Sequence, residues 1–309
     1  MYYIKYKAIH DNMYSFFIGG FMKKYKEYTG KTVKIMICSK CNTKCKHCYI
    51  NYDGNFDSEE LYKLVKHLKK KYEVKLNGTE PLMDEVYLKS FACSDEELIL
   101  TNGLVFKNNL KLVDKIINSG IKRICISYHF SLHEYISSVK KDYLDQLIPK
   151  IRKKGIDVEL MCTISKINYD KILDFCKKAV ELGANYIYFI EYMDNNKQSL
   201  NNERYLMNSE ERNVFFELLS KARKTYSKDI LMITRCGNFN RDSYKYDKNF
   251  NCPAYNDLVV MTPDYKIYPC NFMISKENEI GFYKEGKVYV LENYSCSKDE
   301  CLYCKKNMI

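Results

Sequence analysis

Three closely spaced cysteines are the residues of this chain whose types and spacing most clearly indicate chemistry. Cys41, Cys45 and Cys48 follow the pattern C-x3-C-x2-C in the segment Cys-Asn-Thr-Lys-Cys-Lys-His-Cys. Three thiolates at this spacing can each bind one iron of a [4Fe–4S] cluster, and no fourth cysteine follows to bind the last iron. A structural metal site is closed, whereas an open coordination position indicates that a further ligand reacts there.

Zinc is the alternative metal for these cysteines. Cys38 and Cys41 form a C-x2-C pair, so a four-cysteine zinc site is open on spacing alone. In the iron–sulfur interpretation, Cys38 instead ends a strand and packs in the core. A disulfide framework is not expected, because the chain has 309 residues and no secretory signal. No stretch of ~18 apolar residues is present, so we expect a cytoplasmic protein without a membrane partner.

The net charge of +11 raises the question of an anionic partner. Many of the lysines fall on the predicted polar side of a helix near residues 58–71, where a solvated surface is expected. No arginine-rich or mixed aromatic and basic motif is present. Nucleic-acid binding is therefore not predicted.

Alternation of apolar runs with amphipathic segments predicts the scaffold from residue 33 to about 226. The predicted strands are 33–38, 74–77, 98–101, 123–127, 158–163 and 186–190. Nearly continuous apolar strands separated by helices are typical of a parallel sheet covered by helices. The fold class is therefore α/β with six strand–helix units. Ligands of such sheets bind at the carboxyl ends of the strands, and the cysteine triad directly follows the first strand.

The regions on either side of these units are predicted to be small. Residues 1–32 form an extension, with a hairpin of 2–7 and 13–18 and a helix near 22–28. Residues 33–235 form the main domain. Residues 236–309 form a cysteine-rich region that includes a hairpin at 257–262 and 265–268.

A second motif strengthens the interpretation of the cysteine triad. Asn-Gly-Thr-Glu-Pro at 77–81 follows the second predicted strand. It resembles the Gly-Gly-Glu-Pro motif of the radical S-adenosylmethionine (SAM) superfamily, with Thr79 in place of the second glycine. The triad resembles that of the same superfamily, and His47 stands where an aromatic residue is usual.

The resemblance implies a partial (β/α)6 TIM-like barrel in which SAM binds the open iron of the cluster held by Cys41, Cys45 and Cys48. It further implies SAM-binding positions on the second motif and at the later strand ends: Gly78, Thr79, Glu80, Pro81, Asn102, Ser127, Thr163 and Met193. The catalytic residues are not specified by the resemblance. His129, His133 and Tyr192 are candidates because they follow strands at the mouth of the barrel.

Cysteines near the C-terminus form a second group. Cys252, Cys270, Cys301 and Cys304 come from the predicted hairpin and the C-terminal tail. Their order resembles the Twitch domain, a one-cluster relative of the SPASM domain, and implies an auxiliary [4Fe–4S] cluster. Structural zinc in the same cysteines remains an alternative. Cys236 or Cys296 is an alternative ligand in either case.

The resemblance also implies the reaction. SAM is cleaved reductively to a 5′-deoxyadenosyl radical, which removes a hydrogen atom from the substrate, and a low-potential donor such as flavodoxin or ferredoxin supplies the electron. Enzymes with such C-terminal domains often modify peptides, so a ribosomally made peptide is the leading substrate. Oxidation of a small molecule by a Twitch-type dehydrogenase is the first alternative. A non-catalytic iron–sulfur or zinc protein is the second.

Overall fold

The computed structural model describes residues 7–8, 13–18, 21–192, 205–235 and 253–294. Their strands are β1 Lys7–Ala8, β2 Met13–Ile18, β3 Phe21–Glu27, β4 Thr32–Met36, β5 Glu73–Asn77, β6 Leu98–Thr101, β7 Arg123–Ser127, β8 Asp157–Ile164, β9 Tyr186–Glu191, β10 Leu231–Arg235, β11 Leu258–Met261, β12 Lys266–Tyr268, β13 Gly281–Lys284 and β14 Lys287–Leu291. Their α-helices are α1 Ser58–Leu68, α2 Leu88–Cys93, α3 Leu112–Asn118, α4 His133–Ile136, α5 Lys141–Arg152, α6 Ile172–Glu181 and α7 Ser209–Tyr226.

Parallel strands form the scaffold of the molecule, as the sequence predicts. Strands β6 to β10 pair in parallel in chain order, and β4 pairs in parallel with β5. The strands alternate with helices whose apolar sides are buried against them. In α1, for example, Leu61, Leu64, Val65 and Leu68 are buried. The α/β fold class is therefore confirmed, and the sheet is an open, partial barrel.

The barrel consists of two ladders that meet between β5 and β6. In the described residues no backbone ladder joins these strands, but side chains connect them at both ends. At the amino end, the backbone N–H of Val74 donates to the Asp95 carboxylate at 2.9 Å. At the carboxyl end, the Glu80 carboxylate accepts hydrogen bonds from Thr101 and Asn102. These contacts hold β5 beside β6 and continue the curve of the barrel.

A nine-stranded sheet unites the two ends of the chain with the start of the barrel. Its order is β1-β2-β3-β14-β13-β12-β11-β4-β5. The predicted hairpin near residues 257–268 is confirmed as the antiparallel pair β11 and β12. Strand β11 also pairs in parallel with β4. The C-terminal strands therefore extend directly from the strand that precedes the cysteine triad.

The helix predicted near residues 22–28 is wrong, because this segment is strand β3. It pairs with β2 on one side and with β14 on the other. Tyr25 is buried, whereas its neighbours Lys24 and Lys26 are exposed, which is the alternation of a strand with one covered face. Pairing with a strand from the far end of the chain decides its conformation, and a local pattern does not reveal that partner.

Strand β10 and the hairpin of β13 and β14 are additions to the predicted elements. Strand β10 pairs with β9 and extends the parallel ladder beyond the six predicted strands. In the described part of the chain, no helix combines the length and apolar character needed to cross a membrane.

Candidate functional site

A cavity of about 750 Å³ opens at the carboxyl ends of the parallel strands. The three cysteines of the triad line it at this end. Lys34 in the middle of β4 and Glu159 near the amino end of β8 also line the cavity. This volume is within the range of ~300–1,000 Å³ that is typical of small-molecule sites.

The cysteine triad lies on a loop without regular secondary structure between β4 and α1. The Thr43 hydroxyl lies 3.1 Å from the Cys41 sulfur and 3.5 Å from the Cys45 sulfur. The backbone N–H of Thr43 also donates to Cys41 at 3.4 Å. Two of the three sulfur atoms therefore converge on one side chain, beside the cavity. Spacing identified the cysteines, but Thr43 gave no signal in the sequence.

The residues of this loop fit a cluster with one open iron better than a closed zinc site. Cys38, the fourth thiol that zinc would need, is 2% exposed and belongs to the core. Burial raises the pKa of its thiol to about 11, as expected for a core cysteine. Among the described residues, Cys41, Cys45 and Cys48 included, no three histidine, cysteine or acidic side chains are grouped closely enough to hold a single metal ion.

The segment Gly78–Pro81 lies directly beside the cysteine loop. The backbone N–H and the hydroxyl of Thr79 both donate to the Cys38 carbonyl, at 3.0 and 3.2 Å. A Cβ atom at Gly78 would lie 2.9 Å from the Cys38 sulfur and 3.1 Å from Ile37 Cγ1. Glycine is therefore required here by the close packing of two loops. Gly78, Thr79 and Pro81 all line the cavity.

Replacing Gly78 with alanine should lower the free energy of unfolding by about 1–3 kcal/mol, because the added methyl group overpacks the contact with Cys38. Chemical denaturation measures this change. The double variant Gly78→Ala/Cys38→Ala should recover part of the loss, because it removes the sulfur atom that the methyl group meets. An unchanged stability of Gly78→Ala would contradict the packing described here.

Glu80 reaches the cysteine loop through Asn102. The Glu80 carboxylate is 1% exposed and accepts from the Thr101 hydroxyl and from the Asn102 backbone N–H, each at 2.7 Å. The Asn102 amide donates to Asn42 at 2.7 Å and lies 3.8 Å from the Cys41 sulfur. Burial raises the pKa of Glu80 to about 7, and its hydrogen bonds oppose that shift. Asn102 lines the cavity, whereas Glu80 lies behind it.

The later strand ends complete the wall of the cavity. Ser127 at the end of β7, Thr163 on β8 and Tyr192 just after β9 all line it. Tyr192 is 4% exposed, and its backbone N–H donates to the Ile164 carbonyl at 2.6 Å. Met193 lies outside the described residues.

His129 and His133 are buried neutral rings. The backbone N–H of Thr163 donates to His129 Nδ1 at 3.3 Å, and the backbone N–H of His129 donates to His133 Nδ1 at 3.0 Å. Burial lowers the pKa of His133 to about 4 and that of His129 well below its usual range. Both Nδ1 atoms are thus occupied by backbone donors. His129 lines the cavity, and His133 packs behind it.

The segment after β12 approaches the cavity from the C-terminal side. The Asn271 amide donates to the Tyr49 hydroxyl at 3.2 Å, and the rings of Phe272 and Tyr49 lie 4.7 Å apart. Asn271 and Phe272 line the cavity, and no local sequence pattern predicts this position. Cys270 directly precedes them. The other candidate auxiliary ligands, Cys252, Cys301 and Cys304, and the alternatives Cys236 and Cys296, lie outside the described residues.

Glu191 is a further charged residue in the wall. It is 5% exposed, and Arg212 Nε from α7 donates to its carboxylate at 2.7 Å. Burial raises the pKa of Glu191, and the charge of Arg212 opposes this shift. The ion pair joins α7 to the end of β9 at the cavity.

Two proteins solved with bound SAM share this architecture. SuiB from Streptococcus suis, solved bound to S-adenosylmethionine, matches with a TM-score of 0.65 and 14% sequence identity over 82% of this chain and 63% of SuiB. Native anSMEcpe with bound AdoMet matches with a TM-score of 0.64 and 15% identity over 81% of this chain and 77% of that protein. SuiB bound to its precursor peptide SuiA and anSMEcpe bound to AdoMet and the Cp18Cys peptide also match, with TM-scores of 0.65 and 0.63.

The chain has the fold of these two SAM-bound proteins, with a cysteine-lined cavity at the carboxyl ends of its parallel strands. It spans less than two thirds of the length of SuiB. A scan against protein-family models and a search of the curated proteins both find no match.

Proposed function

We propose that this protein is a radical SAM enzyme that modifies a peptide. The observation that carries the proposal is the C-x3-C-x2-C loop beside a cavity of about 750 Å³, in a fold shared with two SAM-bound structures. Cys41, Cys45 and Cys48 would hold the [4Fe–4S] cluster. A reduced cluster and SAM, when bound together, supply a 5′-deoxyadenosyl radical that removes a hydrogen atom from the substrate.

The residues that line the cavity would hold SAM. Gly78, Thr79 and Asn102 line the cavity and would contact SAM there. Ser127 and Thr163 supply hydroxyl groups at the ends of β7 and β8, and Met193 would contribute just beyond β9. Tyr192 remains a candidate for contact with the substrate.

A peptide substrate is supported by the two matched proteins that were solved with bound peptides, SuiB and anSMEcpe. The same proposal includes an auxiliary cluster on Cys252, Cys270, Cys301 and Cys304. It also includes three domains: an N-terminal extension at 1–32, the barrel at 33–235 and the auxiliary cluster domain at 236–309. Cys270 supports a C-terminal cluster near the substrate, because Asn271 and Phe272 beside it line the cavity. A flavodoxin or ferredoxin would supply the electron.

Anaerobic reconstitution with iron and sulfide tests the first step. The reconstituted protein should convert SAM to 5′-deoxyadenosine when dithionite is present. Absence of 5′-deoxyadenosine from protein that carries its full iron content would contradict the radical SAM function. Coexpression with a short peptide encoded beside this chain tests the substrate: the peptide mass should change, and an unchanged mass would count against peptide modification.

A further inference from the structure

Three imidazole rings in contact connect the cysteine loop to the barrel wall. His47, which lies between Cys45 and Cys48, meets His129 edge-on, with ring centroids 4.7 Å apart and planes at 79°. His133 lies 5.5 Å from His129 with its ring at 19° to that of His129. The loop residue next to a cluster ligand therefore packs on a residue that follows β7.

His129 is held firmly at the centre of these three rings. The Thr163 backbone N–H donates to its Nδ1, and its own backbone N–H donates to His133 Nδ1. Its side chain is fully buried. Because Nδ1 accepts a hydrogen bond, the neutral ring carries its proton on Nε2, and this hydrogen bond favours one orientation of the ring. It thus presents a rigid surface to His47.

The cysteine loop has few backbone contacts of its own. From Cys41 to Asp53 the chain forms neither helix nor strand. Near His47, the backbone N–H of Lys46 donates to the Ile136 carbonyl at 2.9 Å, and that of Cys48 donates to the Cys45 carbonyl at 3.2 Å. The ring contact with His129 is therefore one of several side-chain connections between the loop and the barrel, beside the Asn102 hydrogen bond to Asn42 and the Lys46 contact with the Tyr135 ring.

We propose that His129 is a positioning residue whose ring holds His47, and with it the cysteine loop, in the geometry that SAM binding requires. This inference rests on the proposed radical SAM function. It gives His129 a role in placing the loop, with His133 supporting His129 from behind. Removing an outer residue that orients a metal ligand typically costs ~10–100-fold in metal affinity or activity, and we expect an effect at the lower end of this range because His129 acts on the ligand loop through His47.

Two substitutions separate the two contacts of the His129 ring. Asparagine can keep a hydrogen-bond acceptor for the Thr163 N–H but removes the ring that contacts His47. Phenylalanine keeps a ring for His47 but removes the acceptor for Thr163. We therefore expect His129→Asn to lose the positioning of the loop. We expect His129→Phe to keep that positioning and to lose some stability, because it leaves the Thr163 N–H without its acceptor.

We would measure SAM affinity by equilibrium dialysis and the response of the reduced cluster to SAM by electron paramagnetic resonance. Both measurements use protein reconstituted to equal iron content. His129→Asn should bind SAM about tenfold more weakly and should show a smaller change of the cluster spectrum on adding SAM. His129→Phe should match the wild type within about twofold in both. His67→Asn, an exposed histidine on α1, is the matched control and should have no effect.

The outcomes distinguish this inference from the proposed function. If the wild type binds SAM and His129→Asn equals it in both measurements, the positioning role is refuted and the function stands. If His129→Asn does not fold, a folded His129→Phe that has lost SAM binding also refutes the role. If the reconstituted wild type binds no SAM, the proposed function fails and the positioning role fails with it.

Discussion

Replacing Cys45 with alanine should lower the formation of 5′-deoxyadenosine from SAM by more than about 100-fold. Removal of a group that only supports a metal ligand already costs ~10–100-fold, and Cys45 is itself a proposed ligand. Its sulfur atom lies in the same side-chain cluster as Cys41, around the Thr43 hydroxyl. Anaerobic assay with dithionite and SAM measures the loss. The iron content of the reconstituted variant should fall by about four atoms per chain.

Cys93→Ala is the matched control for this prediction. Cys93 ends α2, is half-buried and does not line the cavity in the described structure. Its replacement should leave both iron content and 5′-deoxyadenosine formation near the wild-type values. If Cys45→Ala retained its iron and its activity while the wild type was active, the triad would not hold the reactive cluster. A loss of bound zinc in place of iron would support the structural alternative.

The strands of the barrel were predictable because both faces of a parallel sheet are buried. Such strands are short apolar runs, and the predicted runs at 98–101 and 123–127 coincide with β6 and β7. The cysteine triad was predictable for a different reason. Ligands of one cluster that lie on one loop keep a fixed local spacing, so Cys41, Cys45 and Cys48 are recognisable without the fold.

Contacts between distant segments were not predictable in the same way. Strand β3 was predicted as helix because its partner β14 lies near the other end of the chain. Asn271 and Phe272 reach the cavity because β11 pairs with β4, and no local sequence pattern predicts that pairing. The histidines after β7 were identified as candidates, but their hydrogen bonds to backbone groups required the structure.

Glu80 should make the free energy of unfolding fall by about 3 kcal/mol as the pH rises from 4.5 to 7. Burial raises the pKa of its carboxyl group from 4.5 to about 7, so the folded state binds more protons than the unfolded state in this interval. The contribution of this proton to the free energy of unfolding is therefore fully present only below about pH 4.5. Above about pH 7, where Glu80 is ionised in both states, the free energy of unfolding no longer changes with the titration of this group.

Glu80→Gln is the variant that tests this assignment. Glutamine resembles the protonated carboxyl group: its carbonyl can accept from the Asn102 N–H, and its amide can donate to the Thr101 hydroxyl. The variant should fold, and its stability should lack the decrease of about 3 kcal/mol between pH 4.5 and 7. Urea denaturation across this range measures the difference. Glu59→Gln, at an exposed position on α1, removes the same charge at the surface and should keep the wild-type pH dependence.

The same carboxyl group links stability to SAM binding. The resemblance to the radical SAM motif implies that the SAM ammonium group lies near the segment Gly78–Pro81, and a cation there would favour the ionised form of Glu80. We therefore expect SAM to bind the wild type more tightly than Glu80→Gln at pH 8, by about tenfold, because the ionised carboxylate behind the cavity wall attracts the ammonium group, and two opposite charges ~10 Å apart interact by about 1.7 kcal/mol at an effective dielectric constant of ~20. The difference should decrease toward pH 6, where the Glu80 carboxyl group is mostly protonated. Equal affinities at pH 8, measured by equilibrium dialysis, would show that Glu80 acts only through its hydrogen bond to Asn102.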